Sequence, residues 1–335
     1  MGLCARSARR LPRPLARDPE RLRGQRHHLR ERDAGLPRPP HRPSRQVSQG
    51  QAPPRRRRRL PLEPLPPPGP ERPPGLYPRH RPPPPGHPWV EPEDFLDRWT
   101  PEVGLALLTW VSSTSSHRLD LAPLVAHGRQ MGSLIGVDVT QAAGLLPYDC
   151  MAPEVDFTIS TSLKWMCGTP GAGILHVAPR LIAECEPELR GWFSQDNPFN
   201  WDIARFAYAP DIRRFDSGTP GIVAALASLP ALDWHAAQDH AALLAHNRRL
   251  THRLIEAADA LGLDLATPRP EPRRGGSVML RLPHEYPAPE VVSKLRAQGI
   301  TTDHRGQTLR LSPGAMTTEE GTERLIEILS AALER

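Results

Sequence analysis

Short apolar runs alternate with amphipathic stretches from about residue 103 to the end of the chain. Residues 120–132 carry apolar side chains at helical spacing. Strands that alternate with helices predict a mostly parallel sheet covered on both faces, so we expect an α/β fold. The runs with the length of buried strands are Val103–Val111, Ser133–Asp138, Asp156–Ser160 and Ala172–Val177.

The second half of the chain follows a different pattern. An apolar helix is predicted from Ile222 to about Leu232, and a long amphipathic helix over residues 235–262. The elements after it predict a small α+β domain. They are strands at Ser277–Leu282 and Gln307–Leu311, and helices at Ala288–Gln298 and Thr317–Leu333.

The first 90 residues differ in composition from the rest. They hold 21 arginines, no lysine, six acidic residues and 23 of the 42 prolines. Such a stretch cannot bury enough apolar surface to offset its loss of conformational entropy, so we expect disorder. Residues 91–335 carry 22 basic and 31 acidic side chains, although the whole chain has a net charge of +6. An acidic body argues against nucleic-acid binding, and an arginine-rich nucleic-acid-binding arm is the less favoured alternative.

The predicted organisation therefore has three parts. Residues 1–90 are a disordered Arg/Pro-rich segment, residues 91–262 a partial large domain that ends in the long helix, and residues 263–335 a small C-terminal α+β domain. No apolar run is long enough to span a bilayer, and the four cysteines lack the spacing of a zinc or disulfide framework. We expect a cytoplasmic protein without a metal site. The histidines on the predicted long helix are interpreted as solvated: His235, His240, His246 and His252.

Lys164 is one of only two lysines in a chain with 43 lysines and arginines. A lysine that persists where arginine replaces it elsewhere suggests a task that arginine cannot perform. An amine can lose its proton and attack a carbonyl carbon, whereas a guanidinium remains charged. Lys164 is therefore a candidate nucleophile.

Asp138 ends a predicted strand 26 positions before Lys164. Functional groups in open α/β sheets gather at the carboxyl ends of the strands, so a carboxylate and an amine are expected to converge on one ligand. Pyridoxal 5'-phosphate (PLP) suits this pair, because the lysine binds its aldehyde and the aspartate keeps the pyridinium nitrogen protonated.

The segments that contain these two residues resemble those of the class V aminotransferase family of PLP-dependent fold type I. The resemblance rests on Gly136-Val137-Asp138 with Gln141, and on Ser162-x-Lys164-Trp165 followed by glycines. It covers about residues 101–335 and implies a fold type I large domain with a small C-terminal domain. Three segments are most similar to the kynureninase-like branch: Leu189–Phe193, Arg213–Pro220 and Leu309–Pro313.

The resemblance implies roles for the residues around the lysine. Lys164 would bind the cofactor covalently and later move a proton, Asp138 would hold the pyridine nitrogen, and Gln141 would lie near the phenolic oxygen. Ser162 would lie near the phosphate. Kynureninases usually carry histidine in place of Gln141 and tyrosine in place of Leu163, so these two positions depart from that branch.

Three further residues are candidates for the site. Arg310 would bind the substrate carboxylate with its bidentate guanidinium. Thr219 precedes a predicted helix start, which suits a phosphate, and the resemblance implies that it reaches the site of a neighbouring subunit in a homodimer with shared sites. Trp192 is a candidate for the cofactor site, with a buried core tryptophan as the favoured alternative.

The resemblance also implies a phosphate-binding loop and a stacking aromatic ring before Val103, where the Arg/Pro-rich segment stands instead. We therefore expect the family's N-terminal part to be lost or scrambled, as in a GC-rich region that is read out of frame. The function expected is that of a PLP-dependent transferase or hydrolase acting on an amino acid, with an epimerase or lyase open. The alternative is a catalytically inactive remnant.

Overall fold

The computed structural model describes residues 86–202 and 204–334. Most of the segment predicted to be disordered, residues 1–90, lies outside the described residues. The first described helix, α1, covers Pro92–Leu96.

Four strands form the first sheet in the order β1-β2-β3-β4. β1 (Leu105–Thr109), β2 (Leu134–Asp138) and β3 (Phe157–Thr161) are parallel, and β4 (Gly173–Val177) is antiparallel to β3. All four predicted strands are confirmed. The direction of β4 follows from the short connection over residues 162–172, because a parallel partner requires a longer crossover, usually through a helix.

Helices cover both faces of this sheet. α2 (Leu121–Gln130) begins at Asp120, whose side chain caps the N–H of Ala122 at 3.1 Å. Leu124 of α2 is buried in one core with Leu108 and Val137. On the opposite face, α3 (Pro179–Ile182) buries Leu181 with other apolar side chains in a second core: Leu134, Phe157, Val177 and Cys185.

The predicted helix over residues 235–262 is wrong at its start. α4 (Ile222–Ala236) continues through residue 235, and α5 (His240–Ala260) begins after a break. Asp239 causes the break, because its carboxylate accepts hydrogen bonds from the N–H groups of Ala241 and Ala242. The four histidines therefore lie on two helices instead of one.

A second sheet lies in the C-terminal part, in the order β5-β6-β8-β7 with antiparallel pairs throughout. Its apolar side chains form one core with those of the helices that precede and follow it in the sequence. The preceding helix, α5, contributes Leu254, Ile255 and Ala258 to this core. The predicted strands and helices of this part are confirmed. The elements are β5 (Asp264–Leu265), β6 (Val278–Arg281), α6 (Ala288–Ala297), β7 (Asp303–Arg305), β8 (Thr308–Leu311) and α7 (Glu319–Leu333).

Three short 3-10 helices complete the described chain, at Trp192–Ser194, Ile212–Phe215 and Glu271–Arg273. Within residues 86–202 and 204–334, no helix combines the length and the apolar character needed to cross a membrane.

Candidate active site

Asp138 and Lys164 lie at the same edge of the first sheet. Asp138 is the last residue of β2, and Lys164 comes three positions after Thr161, the last residue of β3. The two strands are parallel neighbours, with Asp138 paired to Ile159. Since the carboxyl ends of parallel strands meet at one edge, the topology brings the predicted pair together.

The turns that follow the two strands are packed against each other. The aspartate turn, residues 139–146, contains Gly144 with a φ of +96°. A Cβ at this position would lie 2.7 Å from the backbone nitrogen of Met166 and 2.8 Å from the carbonyl carbon of Trp165. These atoms belong to the lysine turn, residues 162–168. Glycine therefore allows a direct backbone contact between the turns that follow Asp138 and Thr161.

Asp138 is half-buried, and its Oδ1 accepts a hydrogen bond from the N–H of Thr140 at 2.8 Å. Its Oδ2 has no hydrogen-bond partner in the described part of the chain. Gln141 is half-buried on the aspartate turn. One carboxylate oxygen thus orients Asp138, and the other remains available to a donor on a ligand.

The backbone of the lysine turn is tightly hydrogen-bonded. The N–H of Gly168 donates to the carbonyl of Ser162 at 2.8 Å, and the N–H of Cys167 donates to the carbonyl of Lys164 at 2.9 Å. The Lys164 side chain is exposed and has no hydrogen bond or ion pair within residues 86–202 and 204–334. A fixed turn therefore presents a free amine.

Ser162 is the first residue of the lysine turn, and its side chain is buried. Its hydroxyl lies 3.1 Å from the carbonyl oxygen of Ala172, 3.3 Å from that of Thr169 and 3.3 Å from the Ser228 hydroxyl. These contacts hold the turn to its neighbours. The role near a phosphate implied for Ser162 remains a prediction, and the hydroxyl as placed here is already occupied by protein partners.

Helix α4 supports the lysine turn through residues that the sequence analysis missed. The Ser228 hydroxyl accepts from the N–H of Thr169 at 3.0 Å, and the Thr169 hydroxyl donates to the Ala224 carbonyl at 2.7 Å. His235 Nε2 lies 3.0 Å from the carbonyl oxygen of Trp165. The one sequence signal for Ser228 was a lone hydroxyl within an apolar helix, which does not reveal its partner.

Thr219 is exposed and lies before α4, as predicted, but the helix start differs from the prediction. The N-cap of α4 is Gly221, so Pro220 precedes the helix instead of occupying its first turn. Gly221 provides no side-chain cap. The N–H of Ile222 donates to the carbonyl of Pro220 at 2.9 Å, and the N–H groups that follow it in the first turn of α4 lack a side-chain cap.

Trp192 is 48% exposed, so the alternative reading as a buried core tryptophan is wrong. Its ring packs edge-on against Trp201, with 5.4 Å between the ring centroids. A Cβ on the neighbouring Gly191 would lie 2.3 Å from the carbonyl oxygen of Ser217. The loop that carries Trp192 therefore touches the segment that leads to Thr219.

Arg310 lies on β8, with a side chain that is 11% exposed. Its Nε is 3.2 Å from a carboxylate oxygen of Asp303 on β7, although the alignment does not make a hydrogen bond. The segment after β8 reaches the site, because Pro313 and Gly314 line a small cavity together with Gly144 and Trp165. Arg310 is thus a half-buried cation on the strand that precedes this cavity-lining segment.

The histidines differ in their surroundings. His235 is buried, and His246 is half-buried with its Nε2 2.8 Å from the carbonyl oxygen of Thr317, so the solvated interpretation is wrong for these two. Burial of part of α4 and α5 against the lysine turn and the C-terminal part is the reason. His240 and His252 are exposed. Across the described ranges, no cluster of three or more His, Cys, Asp or Glu side chains is arranged to hold a metal ion.

The residues at the sheet edge fit an aldehyde-bearing pyridine cofactor. The free amine of Lys164 lies on the lysine turn. The carboxylate of Asp138, with one unused oxygen, directly precedes the aspartate turn, which contacts the lysine turn. An amine and a carboxylate are the groups needed to bind an aldehyde and a pyridinium nitrogen. A model of the family described as "Aminotransferase class-V" matches residues 84–323. This chain belongs to that family. The resemblance drawn from the motifs around Asp138 and Lys164 is thereby confirmed.

Two curated proteins are similar to this class V chain, and one of them is a kynureninase. A kynureninase of Deinococcus radiodurans is 33% identical over 219 residues, which cover 64% of this chain and 52% of the relative. An isopenicillin N epimerase of Streptomyces clavuligerus is 32% identical over 241 residues, which cover 69% and 61%. The chain thus spans between about half and three fifths of the length of the curated relatives it matches.

Solved structures confirm the fold. An apo cysteine desulfurase from Thermococcus onnurineus NA1 matches with a TM-score of 0.65 and 19% identity, covering 71% of this chain and 62% of that one. A variant of C-DES with glycine covalently linked to its PLP cofactor matches with a TM-score of 0.65 and 22% identity, covering 72% and 64%. The predicted PLP fold type I architecture is therefore correct.

Proposed function

We propose that this class V chain is a PLP-dependent enzyme that acts on an amino acid, with the cofactor bound covalently to Lys164. The observation that supports the proposal is the backbone contact between the aspartate turn and the lysine turn at Gly144. That contact holds the backbone that carries the unpaired amine against the turn that follows the half-buried carboxylate.

The residues have distinct tasks in the proposed reaction. PLP, when bound, supplies an electron sink for the negative charge that develops at the α-carbon of the substrate. Asp138 would hold a proton at the pyridine nitrogen, because a carboxylate beside that nitrogen favours its charged form. The Lys164 amine would accept and return the proton of the α-carbon. Gln141 would orient the cofactor from the aspartate turn.

Arg310 is the proposed partner of the substrate carboxylate. Its guanidinium is already desolvated, and its contact with Asp303 lacks hydrogen-bond alignment, so a well-aligned carboxylate can compete for it. The reaction class proposed is transamination or hydrolytic cleavage at the β-carbon. Cysteine desulfuration is disfavoured, because that chemistry requires a thiol in a late loop and the last cysteine is Cys185.

A homodimer with shared sites is part of the proposal. α4 exposes an apolar face at Ile222, Val223, Leu226 and Leu229, with 47–77% of each side chain accessible. A partner that covered this face would also contact the segment of Thr219, near which Trp192 lies. Thr219 and the uncapped start of α4 would then bind a phosphate of the neighbouring site. A cytoplasmic location remains a prediction.

The functional proposal is tested by adding PLP to the purified protein, removing the unbound PLP and recording the absorption of the protein in the visible range. We expect a cofactor band in the wild type and in Lys294→Ala, and no band in Lys164→Ala. Lys294 is a matched control because it is the second lysine of the chain and its Nζ only donates to the Ala332 carbonyl at 3.1 Å. A band of equal intensity in Lys164→Ala would contradict the proposal.

A second candidate function is that of a folded remnant without catalysis. The observation that favours it is the open surface of the lysine turn, where the Lys164 side chain is exposed. A folded wild type that gives no cofactor band at any PLP concentration would support the remnant.

A further inference from the structure

A small cavity of about 20 Å³ lies where the two turns meet the helices and the C-terminal part. Gly144 and Trp165 line it from the turns, His235 from α4, Asn247 from α5 and Pro313 from the segment after β8. Every part of the fold that supports the lysine turn thus contributes to one cavity. Two buried polar atoms on residues of its wall have no hydrogen-bond partner within the described residues, His235 Nδ1 and Asn247 Oδ1.

Both of these atoms are acceptors. The His235 Nε2 contacts the carbonyl oxygen of Trp165 at 3.0 Å, and a carbonyl only accepts, so Nε2 must carry the hydrogen. Burial lowers the pKa of His235, which favours the neutral ring. In a neutral ring with a hydrogen on Nε2, the Nδ1 atom is an acceptor.

Asn247 is oriented by the same reasoning. Its Nδ2 lies 2.9 Å from the carbonyl oxygen of Gly276 and 3.0 Å from that of Pro313, so the amide nitrogen must face both carbonyls. The Oδ1 atom then remains as an unused acceptor on a side chain that is 2% exposed. Leaving two such acceptors unpaired would be unfavourable, because each has lost its hydrogen bonds to water on burial.

We propose that the cavity is a binding site for one water molecule, which donates one hydrogen to His235 Nδ1 and the other to Asn247 Oδ1. A water is the ligand that fits, because it supplies two donors and a cavity of roughly 10–15 Å³ is enough to hold one. This proposal does not depend on the proposed cofactor chemistry, because the water would bind whether or not PLP is present.

The water would make His235 a positioning residue for the lysine turn. The ring holds the Trp165 carbonyl, which adjoins Lys164, and the water ties the ring to α5 and through Asn247 to the segment after β8. The direction of the Lys164 side chain is therefore coupled to the C-terminal part that carries Arg310.

Two measurements on the wild-type protein test the site directly. A crystal structure at water-revealing resolution is expected to show one solvent peak within hydrogen-bond distance of both His235 Nδ1 and Asn247 Oδ1. The nitrogen NMR shifts of the His235 ring at neutral pH are expected to show the hydrogen on Nε2. A site without that peak, a peak that contacts only one acceptor, or a hydrogen on Nδ1 would each overturn the proposal.

A variant tests the positioning role. His235→Leu removes both hydrogen bonds, and we expect the exchange of the Cys167 and Gly168 amide hydrogens to rise by roughly tenfold or more. His252→Leu, at an exposed histidine on α5, is the control and is expected to leave both rates unchanged. Equal exchange rates in the two variants would refute the positioning role. Should His235→Leu fail to fold, the two wild-type measurements still decide the presence of the water.

Discussion

The two sheets differ in how completely this chain covers them. The C-terminal sheet buries its apolar side chains almost fully, as with Val278 and Leu309, which are inaccessible to solvent. The first sheet has a dense interior but exposes Leu107 on one edge strand and Ile174 on the other, at 53% and 46%. The apolar face of α4 is exposed beside it. Exposed apolar patches of this kind are typical of surfaces that bind a partner, and they lie in the part with the lysine, for which we propose a partner subunit.

The catalytic candidates belong to the less completely covered region. The lysine turn is held by α4, by the aspartate turn and by the segment after β8, although its outer surface is open. The backbone of the lysine turn is thus held by contacts within the chain, whereas we propose that a partner subunit encloses the site.

The largest expected effect is a difference in unfolding free energy between two leucine substitutions, one in each region. Leu295 of α6 is inaccessible and Leu226 of α4 is 58% exposed. We expect Leu295→Ala to lower the free energy of unfolding by about 2–5 kcal/mol and Leu226→Ala to lower it by less than about 0.5 kcal/mol. Chemical denaturation of both variants measures the difference. Similar losses in the two variants would show that α4 is as well covered as α6.

A pH effect is expected at the junction of the two regions. His117 lies after β1, bridges to Arg274, and faces Glu91 and Arg273. Burial lowers the pKa of His117 to about 4, against the attraction of Glu91. The folded state then binds fewer protons than the unfolded state between pH 6.5 and about 4, so stability is retained above this window and falls within it.

The loss at His117 is expected to reach up to about 3 kcal/mol at the acid end of the window. Denaturation midpoints at several pH values in the wild type and in His117→Gln provide the measurement, because the variant lacks the titrating ring. An equally steep fall in His117→Gln would assign the pH dependence to other groups.

A smaller effect is expected for the contact between the aspartate turn and the lysine turn, as a difference in unfolding free energy between two glycine substitutions. Gly144 and Gly132 both have positive φ, but only Gly144 has backbone atoms where a Cβ would stand. We expect Gly132→Ala to cost about 1–2 kcal/mol from the left-handed backbone alone. Gly144→Ala is expected to cost about 1–3 kcal/mol more, because the two turns must separate. Matched unfolding curves test this. Equal costs would mean that the contact between the turns is not tight.

Much of the fold was predictable, because the apolar runs that became β1 to β4 and the motifs around Asp138 and Lys164 are local in the sequence. The antiparallel direction of β4 was missed because the prediction considered the apolar runs and not the short connection over residues 162–172. The break at Asp239 was missed because an aspartate at this position also fits the polar face of one continuous amphipathic helix. β5 and β7 are too short to show a period.

The supporting residues of the site were the hardest to predict. Ser228 and His235 are distant from Lys164 in the sequence, and their contacts with the lysine turn arise only when α4 packs against it. The favoured interpretation of Trp192 as a core residue rested on its residue type alone, and the side chain is 48% exposed.

Borohydride reduction of the PLP-treated protein, followed by peptide mass spectrometry, tests the central claim most directly. The chain offers only Lys164 and Lys294 as side-chain amines. The account predicts a reduced cofactor adduct on Lys164 and none on Lys294. An adduct on Lys294 alone, or equal labelling of both lysines, would contradict it.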